Sequence, residues 1–145
     1  MTIRINHEGL TVPVSKSLVS YLSTLITNKN IDSDTADSIT FNFKDPSYNS
    51  EDGGFHPVEI RIEPNQSNDG KWSLCYITDF CLVGTGICSE LAIDADFNFE
   101  LNKFQSMFGS FPLASADEYY LLWEANFITY AKELEVFNID ITEGD

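Results

Sequence analysis

Along most of the chain, apolar residues fall at every second position. Ile39, Phe41 and Phe43 alternate with Thr40, Asn42 and Lys44, and Val58, Ile60 and Ile62 alternate with Glu59, Arg61 and Glu63. Trp72, Leu74, Tyr76, Thr78 and Phe80 alternate with Ser73, Cys75, Ile77 and Asp79. The cleanest row is Leu91, Ile93, Ala95, Phe97, Phe99 and Leu101. A period of two sends successive side chains to opposite faces. Four such strands predict an antiparallel sheet covered on one side, because parallel strands buried on both faces lack the alternation. The connections agree. "NQSNDG" before Lys71 reads as a tight turn with Gly70 free to take positive φ, and "DPSYNSEDGG" as a longer, mobile link. Neither can hold a crossover helix. Ile3 and Ile5 give a weak strand signal near the start, and Phe137, Ile139 and Ile141 suggest a last strand.

Two stretches follow the helical period instead. Leu18, Tyr21, Leu22, Leu25 and Ile26 recur at three and four residues behind Ser15 or Ser17 as a cap, and Asn28 to Asn30 end the run. Phe104, Met107 and Phe108 suggest a short helix before Gly109, and "SADE" (Ser115 to Glu118) fits a capping box opening a helix that runs to about Leu134. That helix carries one stripe of Tyr119, Leu122, Trp123, Asn126, Phe127, Tyr130 and Leu134, and a second of Leu121, Ala125, Ile128 and Ala131. One stripe suffices to cover a sheet, so the second predicts another subunit, with Tyr120, Trp123, Phe127 and Tyr130 near the contact. The expected fold is α+β: one domain over 1–145, an antiparallel sheet of five to seven strands flanked by N- and C-terminal helices. Its core is expected to hold Ile39, Phe41, Phe43, Val58, Ile60, Ile62, Leu74, Tyr76, Leu91, Ile93, Phe97 and Phe99 under helices.

Charge changes the picture of the outer face. The chain of 145 residues carries a formal net charge of −15, and most of it lies beyond residue 50. Such a surface repels phosphate backbones, so nucleic acid is not an expected partner, whereas basic proteins or peptides are. Solubility alone is the other reading of the same charge. The mixed opening stretch "MTIRINHEGLTVPVSK" does not read as an apolar leader, and no membrane span is expected. Cys75, Cys81 and Cys88 are an odd number, which suits reduced thiols in a cytoplasmic protein better than a disulfide framework.

Candidate chemistry is sparse. From Asp94, every second residue spells Asp94, Asp96, Asn98 and Glu100, the opening of a calcium loop. The sixth and twelfth positions, which need Gly and Glu, are Phe99 and Gln105, so the loop fails and a strand with an acidic outer face is expected. On that reading Asp94, Asp96 and Glu100, with Glu59, Glu63 and Asp79 from neighbouring strands, form an exposed face for basic partners. With only His7 and His56, a multi-histidine metal site is not expected, and no cofactor is. His56 pairing with Cys75, Cys81 or Cys88 as a nucleophile, or a metal on the acidic row, is the enzymatic alternative. "GTG" at Gly84 to Gly86 lacks the third glycine and the helix of a dinucleotide loop, and no catalytic residues are assigned.

"FNFKDPSYNSEDGGFHPVEIRI" and "WSLCYITDF" resemble a family of short gammaproteobacterial proteins classed as a domain of unknown function, "GGFHPVEI" being the most distinctive part. That family is similar in fold to the mitochondrial acidic matrix proteins, which include the binding protein for the globular heads of a complement component. The resemblance implies a twisted antiparallel sheet of about seven strands between terminal helices, and a ring-shaped homotrimer. It implies no catalytic residues.

Overall fold

The computed structural model describes residues 3–32, 35–65, 70–84 and 89–144. Helix α1 (Lys16–Asn28) starts where the Ser15 side chain accepts from the Leu18 amide at 3.1 Å, and Asn30 closes it in the left-handed region at φ 56°. Among the described residues seven strands follow in one antiparallel sheet: β1 (Ser38–Lys44), β2 (Val58–Pro64), β3 (Trp72–Val83), β4 (Glu90–Asn98), β5 (Lys103–Ser106), β6 (Gly109–Pro112) and β7 (Asn138–Gly144). The spatial order is β6-β5-β4-β3-β2-β1-β7, a meander whose free β1 edge takes the last strand. Helix α2 (Asp117–Ile128) lies between β6 and β7 in the chain and runs on into a π-helical turn, Thr129–Glu133. Ile5 meets the start of β3 through an isolated parallel bridge to Trp72.

The alternating rows of β1 and β2 lie where their pattern puts them. Ile39, Phe41, Phe43, Val58, Ile60 and Ile62 are buried in one core with Leu18, Leu22 and Ile26 of α1 and Tyr120, Trp123 and Phe127 of α2. Both helices thus cover the same face. In β3 and β4 the pattern misleads. Two β-bulges interrupt the ladder, one where Cys75 is inserted opposite the Arg61/Ile62 step and one where Asp94 is inserted opposite the Asp79/Phe80 step. An extra residue reverses the faces of all that follow it. Leu74 and Ile77 are therefore buried, while Tyr76 turns to the open face with Glu59. Ile93 and Leu91 pair with Phe80 and Leu82, and Leu91 is 54% exposed instead of lying under a helix. Phe99 is partly buried against the core.

Three local expectations are also corrected. Phe104, Met107 and Phe108 form no helix; β5 and β6 make a hairpin whose tip is Met107–Phe108, and Gly109 at φ 134° takes a backbone that L residues avoid. The capping box does not form, since Leu113–Ala116 is a 3-10 turn, the Ser115 hydroxyl donates to the Pro112 carbonyl, and Ala116 precedes α2 with no side-chain cap. The link from Asp45 to Gly54 is an organised turn: Asn49 and Gly53 bridge, and the Asn49 side chain accepts from the Glu51 and Asp52 amides. Most of the turn before Lys71 lies outside the described residues.

Candidate functional site

The only His in the middle of the chain is set by that turn. Asp45 holds it closed, one carboxylate oxygen accepting from the Phe55 amide at 3.0 Å and the other from the Ser47 amide at 2.9 Å. These hydrogen bonds hold the Asp45 carboxyl below its ordinary pKa, the one from Phe55 contributing most. Gly54 is required here. Its φ is 139°, and a Cβ would come within 2.9 Å of the Tyr48 Cα. Gly54→Ala should cost roughly 1–3 kcal/mol in backbone strain, read as a lowered denaturation midpoint, and should shift the His56 imidazole resonances in NMR. Unchanged resonances and midpoint would count against this role for the turn.

His56 enters β2 beside Asp79 of β3, and its Nδ1 lies 2.8 Å from Asp79 Oδ1. The other Asp79 oxygen accepts from the Trp123 indole N–H at 2.8 Å, so a carboxylate buried at the sheet centre is tied to α2. Asp94 Oδ2 stands 3.6 Å from the same His56 Nδ1. The bulge puts it there: an inserted residue and the one after it share a side of the strand, so Asp94 joins Ala95 on the helix-covered face, whereas Asp96 points away. The hydrogen bond to Asp79 holds the His56 pKa above its ordinary value; burial opposes this, and the charges of Asp79 and Asp94 add to it. The three side chains open onto a cavity of about 370 Å³ between α2 and the sheet, walled by Phe55, Tyr119, Trp123, Phe127, Tyr130 and Phe137. Phe55 and Tyr130 close one side, with ring centroids 4.6 Å apart, and Tyr130 is carried by the π-helical turn.

The acidic row thus divides. Asp94 and Asp79 go to the cavity. Glu59, Asp96 and Glu63 go to the open face, where Glu59 accepts from the Tyr76 hydroxyl and Asp96 from Thr78 Oγ1 at 2.7 Å. Partial burial raises the Asp96 pKa, and the Thr78 bond offsets some of that. Glu63, Cys75 and Glu100 form a second group on the open face, the Cys75 thiol donating to Glu63 at 3.3 Å. Burial, and after it the two carboxylates, push that thiol well above its ordinary pKa, which disfavours the reactive thiolate. No cysteine hydrogen-bonds His56 among the described residues; Cys75 is on the opposite face, and the Cys81 thiol is likewise raised by burial and by Asp94 and Asp79. Cys88, Thr85 and Gly86 lie outside the described residues.

The side chains expected at a subunit contact are consumed within the chain. Tyr120, Trp123 and Phe127 are buried against the sheet, with Trp123 and Phe127 stacked at 5.1 Å, and Tyr130 lines the cavity. The most exposed large apolar side chains of α2 are Leu121 and Leu122, at 60% and 62%. The cavity is not legible in local pattern, because His56, Asp79, Asp94 and Trp123 come from four separate segments. The one available signal was an Asp, Asp79, in the middle of an apolar strand.

A family described as protein of unknown function (DUF2787) matches residues 16–142. The chain belongs to the DUF2787 family. Two solved structures extend this. A hypothetical protein from the VSP-II pathogenicity island of Vibrio cholerae is 35% identical, with a TM-score of 0.86 over 98% of this chain and 99% of that one. A conserved hypothetical protein from the VPI-2 pathogenicity island of Vibrio cholerae O1 is also 35% identical, with a TM-score of 0.78 over 95% of this chain and 99% of that one. The second is described as sharing structural homology with the human P32 protein. No curated protein matches this DUF2787 member. Among its described residues no helix is long and apolar enough to cross a membrane.

Proposed function

We propose that this DUF2787 protein is an acidic binding module, assembled as a homotrimer, that holds basic protein or peptide segments against its open sheet face. The observation that carries this reading is the face itself. Both helices pack on one side of the sheet, and the other side presents Glu59, Glu63, Asp96 and Glu100 from adjacent strands and their ends. Aligned carboxylates sum into a field that accelerates encounter with a cationic partner, although single surface pairs contribute little. Asp79 and Asp94, facing the cavity, are not part of this surface. Outward Leu121 and Leu122 support self-association, and the resemblance to the mitochondrial acidic matrix proteins supplies the number three. The free thiols of Cys75 and Cys81 fit a cytoplasmic setting.

An oligolysine peptide is a suitable probe. Replacing Glu59, Glu63, Asp96 and Glu100 together by their amides should slow its association at least about tenfold at low ionic strength and flatten the salt dependence of that rate. Stability should hold or rise as repulsion is relieved. Association unaffected by the four changes would overturn the open-face reading. Light scattering tests assembly separately, and a species of 16.3 kDa across micromolar concentrations would overturn the trimer.

A further inference from the structure

We propose that His56, Asp79 and Asp94 bind one divalent transition-metal ion, best matched by zinc, with a coordination position left open to the aromatic cavity. Three observations converge on it, none of them involving the open face. The first is donor geometry. The three ligand atoms lie within 4.8 Å of one another, and the two contacts of His56 Nδ1 measure 2.8 and 3.6 Å. Two donors bound tetrahedrally at 2.0–2.1 Å from zinc stand about 3.3 Å apart, between those values. A rearrangement of these side chains toward that spacing would admit the ion, which would replace the proton shared by Nδ1 and the Asp79 carboxylate.

The second is support around the ligands. Metal-binding side chains are held by outer hydrogen bonds that orient them before the ion arrives. The Trp123 indole N–H holds the far oxygen of Asp79 at 2.8 Å. Gly54 and Asp45 hold the turn that carries His56. The bulge delivers Asp94 to a face that strict alternation would deny it.

The third is the donor set and its opening. Calcium and magnesium seek six or more oxygen donors, whereas one imidazole and two carboxylates suit zinc or manganese. Three protein ligands beside a cavity of about 370 Å³ leave room for water or an anionic ligand at the open position.

The test uses the full chain, stripped with chelator and titrated calorimetrically with zinc, manganese and calcium chlorides. Zinc should saturate at one ion per chain and raise the melting temperature, with calcium giving no comparable shift. Asp94→Asn and His56→Gln should each weaken zinc at least about tenfold while keeping the wild-type circular dichroism spectrum. Asp94 is the milder change, since only its approach to His56 is lost. Cys75→Ser should bind as wild type does, because Cys75 belongs to the group on the other face. Absence of zinc binding, binding unchanged in Asp94→Asn, loss in Cys75→Ser, or a preference for calcium would each overturn the proposal.

Discussion

Phe97→Ala should produce the largest loss of stability of any single change considered, about 3–5 kcal/mol. Phe97 is fully buried, and its ring centroid lies 4.9 Å from Tyr120, 5.2 Å from Phe104 and 5.6 Å from Trp123. Truncation would empty a volume bounded by the sheet, the β5 strand and α2 at once. Partners on both β5 and α2 cannot all collapse into it, so the cavity term adds to the lost transfer energy. With a urea slope of about 1–3 kcal/mol per molar, the midpoint should fall by at least about 1 M. Phe97→Leu should lose less. A midpoint left unchanged by Phe97→Ala would mean that β4 does not bury this face.

Glu124→Ala should be the next most costly, at about 1.5–3 kcal/mol. Glu124 is 3% exposed on α2, and its two carboxylate oxygens accept from the Ser15 amide at 3.1 and 3.2 Å. It also accepts from the Ser15 hydroxyl, so a residue of α2 completes the N-terminal cap of α1. Removing the carboxylate leaves a donor at the helix junction without a partner. Glu124→Gln retains an acceptor and should cost less. The same pair reports on pH. Burial holds the Glu124 carboxyl above its ordinary value, and the Ser15 hydrogen bonds offset part of that. The unfolded carboxyl titrates near about 4.3, so between that value and the raised one the folded chain binds more protons than the unfolded chain. The resulting stability is fully present below the unfolded pKa and is lost as pH rises through the folded pKa. Urea titrations across that window should show wild type losing stability relative to Glu124→Gln as pH rises. A difference that moves the other way would contradict the burial argument.

Local pattern carried the sheet and much of the core. The rows of β1 and β2 have no bulge on their own strands, so every side chain from Ile39 to Phe43 and from Val58 to Ile62 lies on the face its parity predicts. Ser15 caps α1 as expected because that bond spans three residues. Where the outcome depends on a partner strand, parity alone misplaces the side chain: Tyr76, Leu91 and Ile93 change faces because two ladders each skip a residue. The β5–β6 hairpin was hidden because Phe104, Met107 and Phe108 satisfy a helical spacing as well as a two-stranded one. The inward turn of Tyr120, which lies on neither apolar stripe of α2, is also beyond local pattern. Tyr120 was expected at a subunit contact, yet it is among the most deeply buried side chains.

By itself, the sequence determined an acidic α+β chain with an antiparallel sheet, one apolar face and terminal helices, because alternation and helical period are properties of consecutive residues. Only the tertiary structure decided what the acidic residues face. Asp94 and Asp96 are two apart and should share a side, but the inserted position in β4 sends Asp94 to His56 and Asp79 and leaves Asp96 beside Thr78. A bulge is set by the register between strands, and register is settled when the whole core packs.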